Sequence, residues 1–496
     1  MLEGLVLMLA NHIYGEGALV DQAGKTIFRG IDCKINIPQE ELGTIYAIAY
    51  HVQHLHFSGN IYQLDVNCGS IEYKAQVLLT KSESSNRGHS LYDLTFIVNN
   101  MTRIERLPYP NDKANEQIEK IIYYISPYHG IPIRYLHESS YKGHINCTFV
   151  NADFLKFIVP NLGTIQFSER FRTKNIDTAF DTTQMVGMPV CNLKLNSPVR
   201  LEHNDNPISI IQERISTEVN YILSIIGFMN ERRIQWYKFQ VLTGHYLYTY
   251  YVNTPSIDVF ERGKDRVSCI PPWEFSAFLK NAISLLNNSP YRYRMKVAFD
   301  TIARENTSEV NISDEMYLSL FSAMEGLLLI YRRMAHKENI FDNKRWKKIH
   351  HKLHEAIKTI CSDDFQEEAM VAKLPELNRY SLNSVWKQFV SDHHLDIKYL
   401  WPVFCTGEDK PGLSDIRNLL IHGENADFIF LYMYAQYHVQ LILERMICNL
   451  LQWPLDKTTI NNKNIMDYEA VKNLSEIRDS VKERYKQIKS EIHKKE

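Results

Sequence analysis

Apolar and polar residues alternate strictly along Tyr62-Gln-Leu64-Asp-Val66-Asn-Cys68. The alternation resumes in Ile71-Glu-Tyr73-Lys-Ala75-Gln-Val77, after Gly69-Ser70, and returns in Tyr92-Asp-Leu94-Thr-Phe96-Ile-Val98 beyond a polar link at 80–88. A period of two gives one buried and one wet face, so this first quarter predicts an antiparallel meander or sandwich. From 100 to 205 the apolar pieces are short and divided by turn-formers such as Pro108, Pro110, Pro127 and Pro132, and no clear elements emerge. Ile208, Ile211, Ile215, Val219, Ile222, Ile226 and Met229 then fall three or four apart, the stripe of a long helix. Pro207 suits its first turn. The aromatic stretch from Trp236 to Val252, broken at Gly244, predicts a hairpin.

Residues 253–272, closing on Pro271-Pro272, predict a domain boundary. Beyond it the periodicity becomes helical, with helices expected near 273–287, 292–304, 313–336, 343–361, 374–390, 411–422 and 426–452. The last is apolar almost all round (Phe428, Ile429, Leu431, Val439, Ile442, Leu443, Met446, Ile447, Leu450), which places it inside a bundle or at a subunit interface. In the tail Val471, Leu474, Ile477, Val481, Tyr485, Ile488 and Ile492 recur between charges, an amphipathic helix suited to docking. The expected fold is therefore α+β. A β-rich region, 1–270, holds an antiparallel sheet and a long helix, with a subdomain break near 100–205. An all-α bundle, 271–456, and a charged C-terminal helix, 457–496, follow.

Length and composition narrow the function. At 496 residues the chain has room for about three domains. Its 56 basic and 58 acidic residues nearly cancel, so nucleic-acid binding requires a local patch rather than a global field. Eight scattered cysteines without a CxxC pair fit reduced thiols in a cytoplasm. The apolar opening, Leu5 to Ala10, is short and lacks a basic flank, which argues against a signal peptide. No run approaches the ~18 apolar residues of a membrane helix.

Common catalytic signatures are absent: no P-loop, no GxGxxG after a strand, no GxSxG and no HExxH. His350, His351 and His354 have metal-like spacing but no cysteine or acid to complete a ligand set, so no metal or cofactor is expected. The segment Ser414-Asp415-Ile416-Arg417-Asn418-Leu419-Leu420-Ile421-His422-Gly423 stands apart. Arginine followed by histidine at such spacing occurs three times, as chance predicts for 24 arginines and 19 histidines, and context separates the cases. Mostly solvated residues fill the interval after Arg345. One polar residue, Asn418, and three large aliphatics fill the interval before His422.

This segment resembles the Arg-polar-x3-His form of the motif of the HEPN superfamily, helical-bundle ribonucleases. The glycine stop and the long apolar helix after it match the usual HEPN ending. Phe321-Ser-Ala-Met-Glu325-Gly-Leu-Leu resembles an early helix of ApeA-like HEPN domains, and the resemblance spans roughly 290–456. The order of parts, a long β-rich region before the bundle, is also similar to ApeA-type anti-phage defence proteins, by architecture alone.

The resemblance implies an endoribonuclease acting in abortive infection, with transfer RNA one candidate substrate. Arg417, Asn418 and His422 would be catalytic and Glu325 and Asp415 supporting. At ~100° per residue Asn418 and His422 share a helical face, whereas Arg417 points elsewhere. One straight helix therefore cannot aim Arg417 and His422 at one phosphate. HEPN ribonucleases are understood to solve this with a composite site at a two-fold interface, which implies a homodimer or tetramer. A histidine titrating near neutrality would move the proton of the RNA 2′-hydroxyl, and an arginine would fork onto phosphate. The family is expected to leave a 2′,3′-cyclic phosphate.

Structural roles compete with these. Arg417 could pair with Asp415 or Glu424, His422 could oppose the helix dipole, and Glu325 could pair with Arg417 inside the bundle. Between Arg332 and His354 eight basic residues face two acids, and Arg332, Arg333, Lys344, Arg345, Lys347 and Lys348 are candidate RNA contacts or a solvated face. Aromatics from Trp236 to Tyr251 could stack on bases or simply pack a sheet. A rival reading is an inactive HEPN assembly or RNA-binding module, with the N-terminal region sensing a ligand such as a phage product.

Overall fold

The computed structural model describes residues 12–492 apart from 39–42, 54–60, 85–90, 109–115, 127–133, 142–143, 152–155, 178–181, 203–204, 255–267, 304–313, 362, 406–410 and 422–428. By contacts the chain divides into two units. One takes Met1–Ser268, Pro272–Ile283 and Ala303–Thr307, and the other takes Cys269–Pro271, Ser284–Ile302 and Ser308–Glu496. Of the predicted boundary segment, 253–272, residues 255–267 lie outside the described residues.

The first unit is built on fourteen described strands. In chain order β1 is His12–Val20, β2 Thr26–Asn36, β3 Ile45–Gln53, β4 Ile61–Cys68, β5 Ile71–Ser84, β6 Leu91–Arg106 and β7 Gln117–Ile125. Then come β8 (Arg134–Tyr141), β9 (His144–Asn151), β10 (Lys156–Val159), β11 (Gly163–Asp177), β12 (Thr182–Arg200), β13 (Trp236–Leu242) and β14 (Tyr246–Val252). The three alternating segments pair as expected, β4 to β5 to β6, but they do not form an open sheet. The order β6-β3-β2-β1-β4-β5 closes on itself because β5 also pairs with β6, which makes a six-stranded antiparallel barrel.

The buried alternates Tyr62, Leu64, Val66, Tyr73, Ala75, Val77, Leu94, Phe96 and Val98 fill its interior together with small residues such as Ala47 and Ala49. Sixteen residues of β6 carry the chain out of the barrel. Its first half pairs with β3, and Asn100–Arg106 pairs with β14. That strand joins the barrel to an open run β10-β11-β12-β7-β13-β14, while β8 and β9 pair separately. The unresolved region of the pattern, 100–205, is thus mostly strand.

The long helix runs through α1 (Pro207–Ile210), a π-helical turn (Ile211–Ile215) and α2 (Ser216–Met229). It covers the aromatic side of the sheet. Trp236 donates its indole N–H to Asn220 Oδ1 (2.7 Å), and Gln212 donates to the Tyr250 hydroxyl (2.8 Å). Tyr237, Phe239, Tyr250 and Tyr251 are buried, so these four pack the sheet, while Trp236, Tyr246 and Tyr248 are half-buried.

The second unit is helical among its described residues. After α3 (Phe275–Leu286), which begins in the first unit, come α4 (Arg292–Ile302), α5 (Asp314–Met334), α6 (Asn343–Ile360), α7 (Asp364–Lys373) and α8 (Leu382–Asp392). Then follow α9 (Leu413–Ile421), α10 (Ile429–Leu450), α11 (Asn462–Ile465), α12 (Glu469–Lys472) and α13 (Leu474–Ile492). The single helix expected at 374–390 is corrected to a 3-10 turn at Leu374–Asn378 followed by α8. Pro375 cannot donate to a continuing helix, and Ser381 starts a new one by accepting the Ser384 N–H. In the tail, Val471, Ile477 and Val481 are buried, and α12 and α13 both touch α10. No helix among the described residues is long and apolar enough to cross a membrane.

His438 on α10 ties this unit together. It is wholly buried, its Nδ1 accepts the Trp401 N–H (3.3 Å), and its Nε2 donates to the Ala470 carbonyl (3.0 Å). Only a neutral imidazole can accept and donate in this way. Burial pushes its pKa down to about 4. The unfolded chain takes up this proton near pH 6.5 and the folded chain does not. Stability conferred by the neutral ring is therefore complete above pH 6.5 and lost as pH falls towards 4, by roughly 3 kcal/mol in all. Urea unfolding of wild type and His438→Gln between pH 7.5 and 4.5 checks this, because the variant's stability should fall less across that window.

Candidate functional site

The site grows from the start of α9. Gly412 sits where any side chain would collide, since a Cβ there would lie 2.8 Å from the Cys405 nitrogen and 2.9 Å from the Val403 oxygen. That close approach lets the first helical N–H groups find acceptors, Leu413 on the Pro402 carbonyl (3.0 Å) and Ser414 on that of Val403 (2.8 Å). Asp415 turns back to accept the Gly412 N–H at 2.8 Å. It caps the helix, and no ion pair joins it to Arg417 among the described residues. Leu413, Ile416 and Leu420 bury the inner face, and the Tyr317 hydroxyl of α5 donates to the Leu413 carbonyl at 2.7 Å.

The opposite edge is polar. Asn418 is exposed and Arg417 half-buried, its side chain about a third accessible. Arg417 Nη1 donates to Asn418 Oδ1 (3.1 Å), and Nη2 stands 3.6 Å from Glu325 Oε2 on α5. Burial pushes the Glu325 carboxyl above its ordinary pKa, and the Arg417 guanidinium offsets part of the rise. A pair this exposed adds at most about 1 kcal/mol to stability. Its effect is on direction, because the carboxylate and the amide together fix where the guanidinium points. The pairing of Glu325 with Arg417 is the alternative raised by the sequence, and the structure places it at the water-facing edge. His422 and Glu424 lie outside the described residues.

No family model, curated protein or solved structure matches this chain. Its chemistry has to be read from its own side chains.

The predicted basic residues separate into two groups. Arg333 is exposed and faces Glu338 at 3.6 Å. Lys344, Arg345, Lys347 and Lys348 all stand exposed on α6, of which only Ile357 is buried. Along that helix Trp346, His350 and His354 form a ladder of rings, and His354 faces Glu367 at 3.8 Å. Arg332 instead lines a cleft of about 310 Å³ beside Glu325, between α4, α5 and α8. Arg294 of α4 lines it too. Sequence reasoning missed Arg294, which belongs to no motif; the nearest signal is the glycine at 326, a small residue on the helix that Arg294 crosses.

Proposed function

We propose that the chain is a HEPN-type endoribonuclease that cuts cellular RNA at a composite site where two copies of its helical bundle meet. The observation that carries this reading is the Arg417 edge, a water-facing guanidinium held by Asn418 and Glu325 on a helix whose inner face is anchored. RNA brings its own nucleophile. His422 accepts the 2′-hydroxyl proton, the 2′ oxygen bonds to phosphorus, and the bond to the 5′ oxygen breaks as that oxygen takes up a proton from solvent water. A 2′,3′-cyclic phosphate and a 5′-hydroxyl remain. Arg417 stabilises the charge gathering on the phosphoryl oxygens. The exposed basic face of α6 supplies long-range attraction for the strand. The barrel region restrains or triggers this activity in response to infection, and transfer RNA fits as one substrate.

Subunit mixing tests the composite site. Arg417→Ala and His422→Ala proteins are each expected to be inactive. Co-refolded or co-expressed, they should recover a substantial fraction of wild-type cleavage, because a mixed dimer rebuilds one intact site. Failure to recover in a verified mixed dimer would sink the shared-site reading.

A further inference from the structure

The cleft beside Glu325 contains more positive charge than its surroundings use. Ser322, Glu325, Leu329 and Arg332 fall three or four positions apart on α5, so they share one face. Glu325 is engaged by Arg417. Neither Arg294 nor Arg332 has an acidic partner among the described residues, and Arg332 Nε is buried with no hydrogen-bond acceptor. A buried guanidinium N–H without an acceptor costs free energy that an incoming anion would recover. Arg294 is held in place from below. A Cβ on Gly326 would lie 3.3 Å from its Cδ, so the glycine lets the arginine lie flat across α5. The same arginine also walls a second cleft of about 390 Å³, which extends the trough along α4 and α5. Beside it Tyr293 is 70% exposed, its ring 5.7 Å from the Arg294 guanidinium carbon.

From these features we infer that the trough is a subsite for single-stranded RNA, adjoining the Arg417 edge. Arg294 and Arg332 grip one backbone phosphate and Tyr293 offers its face to a neighbouring base. Planar guanidinium forks match phosphate oxygens, and an exposed ring stacks on bases of any sequence. This rests on the reading of the chain as an RNA-cleaving protein and names where the strand lies relative to the cut. Glu325 then has two neighbours, Arg417 on one side and the bound phosphate on the other. Its negative charge keeps the phosphate towards the arginines.

Fluorescence polarisation with a labelled uridine oligonucleotide of about 12 nucleotides tests the subsite, using the full chain carrying His422→Ala to prevent cleavage. Adding Arg294→Gln and Arg332→Gln together should weaken binding tenfold or more. It should also reduce the slope of log affinity against log salt by about 0.7, the value for one lost phosphate contact on a single strand. Tyr293→Ala should weaken binding with the slope unchanged. Lysine at 294 and 332 should restore the slope. Unchanged affinity and slope in the double glutamine variant, with a wild-type melting temperature, would overturn the proposal. So would inorganic phosphate saturating the trough at micromolar concentration, since the site would then be one for free phosphate. The two proposals fail separately. If wild type cuts RNA but the double variant binds as tightly, the trough is wrong and the nuclease stands. If wild type never cuts RNA yet the cleft substitutions release the oligonucleotide, the trough stands and catalysis falls.

Discussion

Arg417→Ala is expected to lower single-turnover cleavage of RNA by 100-fold or more, the cost of losing one well-aimed charge-stabilising donor. Arg417→Lys should recover little of this, because a single ammonium cannot reproduce a fork fixed by Asn418 and Glu325. Stability should hardly change, since among the described residues the close partners of the guanidinium are a neighbouring amide and a carboxylate 3.6 Å away at a solvent-facing edge. That combination separates a catalytic role from a structural one. If Arg417 merely anchors α9, alanine would lower the melting temperature, and any loss of cleavage would vanish at low temperature. Single-turnover rates measured alongside thermal unfolding make the distinction. A stable variant that cleaves at the wild-type rate removes the arginine from the mechanism.

The residues differ in how much of their role sequence could reveal. Alternation at Tyr62–Cys68, Ile71–Val77 and Tyr92–Val98 identifies one buried face, but a closed barrel and an open sheet bury the same alternates. Closure depends on β6 pairing with both β3 and β5, and on register breaks at Gln76/Val77 and Leu79/Lys81 that bend β5 around. Nothing local encodes a partner elsewhere in the chain. Helix spacing fared better because the period of 3.6 is local: α3, α4, α5, α6, α9 and α10 begin within a few residues of their expected positions. Between α6 and α8 the pattern misled: it gave no sign of α7, which Asp363 caps, and Pro375 and the cap at Ser381 divide the helix expected at 374–390.

The site was legible where its parts are neighbours in sequence. Arg417 and Asn418 lie side by side, and a carboxylate three residues after Gly412 could have been read as a cap rather than a supporting acid. Glu325 came within reach because an acid among leucines needs a partner. Arg294 was invisible, since its significance comes from lying across Gly326 of another helix. Geometry of that kind leaves no trace in spacing.

Arg445→Ala should be the most destabilising single change in the helical unit, by about 3–5 kcal/mol. The side chain is 1% exposed and donates to the Asp396 carbonyl (2.7 Å), the Ile460 carbonyl (2.9 Å) and Asn462 Oδ1 (3.1 Å). Burial draws its pKa down, and Asp396 and Glu444 oppose that shift. Truncation strands two backbone carbonyls and opens a cavity beside α10. The consequence reaches the site by a short path. Asp396 begins the segment leading to Pro402 and Val403, whose carbonyls receive the first N–H groups of α9. Loosening that segment should free the helix that carries Arg417. Urea unfolding should show the loss of stability, and hydrogen exchange should show lost protection at Leu413 and Ser414 before the rest of the unit. Cleavage by this variant should fall steeply on warming, in contrast to the temperature-independent defect of Arg417→Ala. If Leu413 and Ser414 keep wild-type protection, α9 is held by something other than this buried arginine.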